Sequence, residues 1–114
     1  MKDDLVYLYH IRDAIEKIVS YTVDGEESFR SNTMIHDAVI RNFEIIGEAS
    51  KKLSGDIKST YQYVPWKSMA GMRDKLIHDY FGVDLDIVWD TINNFLPKLR
   101  VQIKEIITKI EPSS

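Results

Sequence analysis

The chain has 114 residues, 44% of them hydrophobic and 29% charged, with no cysteine and a net charge of −3 at pH 7. This composition suits one globular domain over residues 1–114 that buries about two-thirds of the surface its unfolded chain exposes, and it excludes a disulfide framework or a thiolate zinc site. The negative balance argues against a broad nucleic-acid-binding coat, so any RNA contact must be local or assembled from two chains.

The opening residues, Met1-Lys2-Asp3-Asp4, are charged and start no apolar leader segment. Nowhere is an uncharged run long enough to span a bilayer. The expectation is a soluble, cytoplasmic protein without membrane contact.

A first helix is predicted over residues 2–22, with Leu5, Leu8, Ile11, Ile15, Ile18 and Thr22 recurring near the helical period. Asp24-Gly25-Glu26-Glu27 breaks it, and a polar link follows to about residue 32. Ser31, Asn32 and Thr33 are each competent caps for a second helix over 33–53, which presents Ile35, Val39, Phe43, Ile46, Ala49 and Leu53. Gly47 lies beside that stripe, where its use would be the close approach of a neighbouring helix.

Ser54-Gly55 ends the second helix, and residues 54–64 read as the least regular segment. Pro65 suits the first position of a third helix, which would run to Gly82 as its C-terminal glycine. Asp84 is a cap for the last helical stretch, where Leu85, Val88, Trp89, Ile92, Leu96, Leu99, Ile103, Ile106 and Ile110 continue an apolar stripe. Pro97 either kinks that helix or begins a fifth. No strand pattern or repeat is visible. The expected fold is all-α, a bundle of four to five mostly antiparallel helices.

The third predicted helix carries Arg73, His78 and Tyr80 at the spacing R-x4-H-x-Y. Arginine offers fixed charge and a forked donor set for phosphate oxygens, and histidine both takes and gives a proton near neutral pH. Those are the requirements of RNA transesterification without a metal: the 2′-OH is deprotonated and attacks phosphorus, and the departing 5′ oxygen is protonated. Arg73 would stabilise the phosphorane. On an ideal helix Arg73 and Tyr80 lie roughly 20° apart and His78 about 140° from Arg73, so one chain assembles a loose pair. Asp74, four residues before His78, would orient the imidazole or raise its pKa. Two such helices across a two-fold axis would line one cleft with two Arg and two His.

Taken alone, R-x4-H is more often a surface or packing feature. His10 and His36 are read as structural, and with His78 they show no metal-ligand spacing. Trp66 and Trp89 read as core or interface anchors. Arg41, Glu44 and Glu48 lie on the polar face of the second helix, as solvated or intersubunit ion pairs, with Glu44 or Glu48 also able to hold Arg73. Lys98, Arg100, Lys104 and Lys109 give the last helix a mildly basic edge, read as solvated.

The wider series is more specific than that motif. It runs through Asp37-Ala38-Val39-Ile40-Arg41, Glu44-Ile45-Ile46-Gly47-Glu48-Ala49, Pro65-Trp66 and Gly71-Met72-Arg73-Asp74, then His78-Asp79-Tyr80, Gly82-Val83-Asp84 and Val88-Trp89. Over nearly its whole length the chain resembles the HepT-like family of HEPN-domain proteins, toxins paired with MNT nucleotidyltransferase antitoxins. One departure is Asp74, where the family often has Asn; its charge would alter His78 basicity or weaken phosphate binding.

The resemblance implies a HEPN-type helical bundle acting as a homodimeric, metal-independent ribonuclease without a cofactor, with Arg73 and His78 as catalytic residues and Asp74 in support. It also implies an MNT antitoxin partner that transfers AMP from ATP to Tyr80. Bulk and negative charge there would exclude RNA phosphate from the cleft. The competing reading is a non-catalytic helical binding or regulatory subunit of a nucleotidyltransferase, which the acidic net charge favours.

Overall fold

The computed structural model describes residues 2–78 and 82–112, with the side chains of Lys2, Ile77, His78 and Val83 outside that description. The helices are α1 (Lys2–Tyr21), α2 (Glu26–Ser31), α3 (Thr33–Lys52), α4 (Gly55–Thr60), α5 (Trp66–Ala70), α6 (Met72–Leu76), α7 (Leu85–Asn94) and α8 (Leu96–Ile110). Between α6 and α7 the two-residue strands β1 (Ile77–His78) and β2 (Gly82–Val83) pair antiparallel, Ile77 with Val83 and His78 with Gly82. The architecture is all-α, as the apolar periodicity predicts.

Long helices α1 and α3 pack along each other; α8 lies on α1, and α5 and α6 lie on α3. The predicted stripes meet in one buried cluster. It holds Leu8, Ile11, Ile15 and Ile18 of α1, Val39, Phe43 and Ile46 of α3, and Leu99, Ile103 and Ile106 of α8. Local signals set the helix starts. The Asn32 side chain accepts from the backbone N–H groups of Met34 and Ile35, and Asp84 accepts from those of Asp86 and Ile87. Pro97 begins α8 rather than kinking one long helix, because its ring is tolerated in a first turn that needs no donor.

Three local details differ from the sequence reading. Residues 26–31 are helical rather than a polar link, because Phe29 is fully buried there and pulls that segment onto the core. Residues 55–60 are also helical. Ser54 caps them, its Oγ accepting from Ile57 N and donating to buried Asp4 at 2.6 Å, so the start of α1 fixes the start of α4. Pro65 precedes its helix as the cap rather than beginning it.

The largest correction falls at the motif. The predicted helix from 65 to 82 is two short helices separated at Gly71, and helical backbone ends at Leu76. The β-branched Ile77 and Val83 favour extended pairing, and Gly82 has φ 75°, a value glycine adopts without a Cβ penalty. Gly82 therefore serves a hairpin, not a helix end.

Candidate active site

Burial at the two ends of α6 sets the site. Met72 and Leu76, one helical turn apart, are 2% and 1% exposed and seat the helix in the core. Arg73, Asp74 and Lys75 between them are thereby turned to solvent. The α6 backbone is tied at both ends, Lys75 N donating to Gly71 O and Asp84 N to Leu76 O. The hairpin starts at once, so His78 follows Arg73 on extended rather than helical backbone.

The helical angle expected between Arg73 and His78 therefore does not apply. Nor does the one-turn relation between Asp74 and His78, since the helix stops between them. Asp74 is exposed, and no hydrogen bond ends on its side chain among the described residues. Tyr80, with its neighbours at 79 and 81, lies outside the described residues.

Arg73 meets α3. Its Nε lies 3.6 Å from Glu44 Oε2, an ion pair longer than a hydrogen bond. The Glu44 side chain is 29% exposed and that of Arg73 60%. Of the two carboxylates the sequence offered to Arg73, Glu48 instead faces Lys51 on its own helix, at 3.5 Å. What brings α5 and α6 within reach is Gly47, buried one turn beyond Glu44: a Cβ there would sit 3.1 Å from the Met69 carbonyl oxygen.

Beside Glu44, a shallow groove of about 200 Å³ runs between α1 and α3, lined by Tyr7, His10, Arg41, Glu48 and Lys52 among others. His10 is exposed in this groove. His36 fits its structural assignment, half-buried with its ring edge toward Phe29. Trp66 is buried and donates its indole N–H to Tyr61 O, and Trp89 lies against Phe29. Among the described residues, no three His, Cys, Asp or Glu side chains converge in a metal-binding group.

The basic edge of α8 is partly consumed within the fold. Arg100 makes two 2.7 Å bonds to the Glu16 carboxylate, and Lys104 Nζ lies 3.5 Å from it. The guanidinium hydrogen bonds hold the Glu16 carboxyl below its ordinary pKa. Lys109 lies 5.8 Å from the Tyr61 ring centroid. That edge offers RNA fewer uncommitted charges than its sequence suggests. No helix among the described residues is long and apolar enough to cross a membrane.

Comparison with known proteins agrees with the family read from the motifs. The family described as "Ribonuclease HepT-like" matches residues 11–106. A Methanocaldococcus jannaschii protein named "Gamma-glutamylcyclotransferase and putative RNase MJ0434" is 44% identical over 111 residues, 96% of this chain but 50% of that protein. The chain thus spans half the length of that two-function relative. "Putative RNase MJ1216" of the same organism is 43% identical over 111 residues, 96% of this chain and 92% of its own. "Probable ribonuclease HepT" of Thermococcus cleftensis is 44% identical over 101 residues, covering 88% of this chain and 92% of its own. No solved structure gives a significant match.

Proposed function

The chain belongs to the HepT-like ribonuclease family, and on that premise we propose that it is a metal-independent RNA endonuclease, the toxin of a pair with an MNT nucleotidyltransferase. The observation that carries the reading is Arg73 itself, 60% exposed on a short, core-anchored helix and five residues before a histidine. A guanidinium so placed presents fixed charge and paired donors to a phosphodiester. His78 acts as acid or base on the 2′-OH and the 5′ leaving oxygen. The phosphorane's non-bridging oxygens take their stabilisation from Arg73.

Two chains complete the site. An acidic monomer contributing Arg73 and His78 gains a doubled set of both when two copies face each other, and a local positive field with it. AMP transferred to Tyr80 by the partner blocks that cleft by bulk and by charge. Neutralisation is therefore covalent as well as by binding.

The reading is tested by offering the purified protein one sequence as RNA and as DNA. Attack by a 2′-OH requires RNA and leaves DNA intact. Equal cleavage of both would remove transesterification. A non-catalytic binding subunit, favoured by the net charge of −3, predicts turnover of neither.

A further inference from the structure

Arg73 approaches Glu44 without hydrogen bonding to it. The contact is made by Nε, the inner nitrogen, at 3.6 Å. Among the described residues no hydrogen bond engages its guanidinium. The chain supplies its own comparison in Arg30, whose Nε bonds Glu26 at 2.8 Å while its Nη2 bonds Asp86 at 2.7 Å. There both edges hold carboxylates, and the side chain serves to join α2 to α7. At Arg73 the nearest carboxylate lies beyond hydrogen-bond distance, so among the described residues the guanidinium donors are not consumed.

We infer that Glu44 is the positioning residue for Arg73, setting its planar fork so that the Nη edge points to a substrate phosphate. The inference rests on the nuclease reading above and adds a residue to it. Its physical basis is the flexibility of arginine: an exposed side chain with several rotatable bonds samples many rotamers, and a phosphate that captures it bears that ordering cost. A half-buried carboxylate on a long, core-packed helix restricts the search before RNA arrives. Gly47 keeps the two within reach by allowing the α5 backbone onto α3 one turn away. Glu48 is occupied with Lys51 and does not duplicate the role.

A carboxylate near a phosphate site also repels the substrate, so two effects must be separated. A positioning role acts on the transition state and appears in kcat; simple repulsion acts on binding and appears in KM. Glu44→Ala is expected to lower kcat by on the order of tenfold while KM changes less than about threefold. Glu44→Gln, which keeps an acceptor oxygen, recovers part of the loss. An unchanged kcat, with or without a lower KM, would overturn the assignment. Equal thermal midpoints verify that the variants fold, as an exposed ion pair contributes little to stability.

A readout independent of cleavage is the ¹⁵Nε–H resonance of Arg73, assigned by its loss in Arg73→Lys. In the wild-type chain it is displaced from the solvent-exposed arginines, and Glu44→Ala returns it to their position. A resonance indifferent to Glu44→Ala overturns the proposal whatever the kinetics. Should the wild-type chain cleave no RNA while this signal responds to Glu44, the nuclease reading fails and the Glu44–Arg73 positioning stands.

Discussion

Gly47 and Met69 approach so closely that a Cβ on the glycine would lie 3.1 Å from the methionine's carbonyl oxygen. The contact is with backbone, which cannot rotate aside, and Met69 belongs to the helix immediately before the one that carries Arg73. Gly47→Ala would gain about 1 kcal/mol of helix propensity and lose roughly 1–3 kcal/mol by overpacking. The expected net result is destabilisation by about 1 kcal/mol. RNA cleavage should fall further than stability does, because α5 and α6 shift together. Chemical denaturation alongside initial rates checks both.

Asp74 lies beside Arg73 on the exposed face of α6. Asp74→Asn removes a negative charge from the neighbourhood of the phosphate without changing side-chain shape. RNA binding should tighten about two- to threefold, with a steeper dependence on salt. Binding titrations at two ionic strengths decide it, and weaker binding would mean that the carboxylate supports the site directly.

Glu16 ties α1 to α8 through Arg100 and Lys104. Hydrogen bonding to Arg100 holds its carboxyl below the ordinary value of 4.5. A depressed folded-state pKa contributes stability that is present above the unfolded value and lost as pH falls through the folded one. Glu16→Gln should therefore lower the thermal midpoint at pH 7, and the gap to the wild-type chain should close below about pH 4. A gap of constant size down to pH 2 would contradict this origin.

Much of the fold was legible because it is carried by periodic apolar stripes. Leu8 to Ile18, Val39 to Ile46 and Leu99 to Ile106 are all buried where the helical period puts them, and Asn32 and Asp84 cap the helices they precede. The short helices were not legible. Residues 26–31 and 55–60 are too brief to show a period, and their stability comes from partners far along the chain: the core around Phe29, and Asp4 on Ser54. At the site, Arg73 and the alternative partners Glu44 and Glu48 were readable as residue types. The choice of Glu44 depends on how α6 docks against α3, which no local pattern encodes. Gly82 suits a helix C-terminus as well as a hairpin, and two-residue strands are too short to show an alternating period.

Tyr80→Phe removes the phenolic oxygen that would accept AMP and leaves Arg73 and His78 unchanged. The variant should retain RNA cleavage and arrest growth even with the nucleotidyltransferase and ATP present, whereas the wild-type chain is silenced. Intact-protein mass identifies the modification. Silencing of Tyr80→Phe would show that neutralisation does not depend on that hydroxyl.

The central claim is tested most directly by incubating a mixed RNA pool with the purified protein in EDTA, beside His78→Ala. Cleavage by the wild-type chain that leaves 2′,3′-cyclic phosphate ends, and none by a folded His78→Ala dimer, is the result predicted. Full activity in His78→Ala, or no cleavage by a folded wild-type dimer, would contradict it.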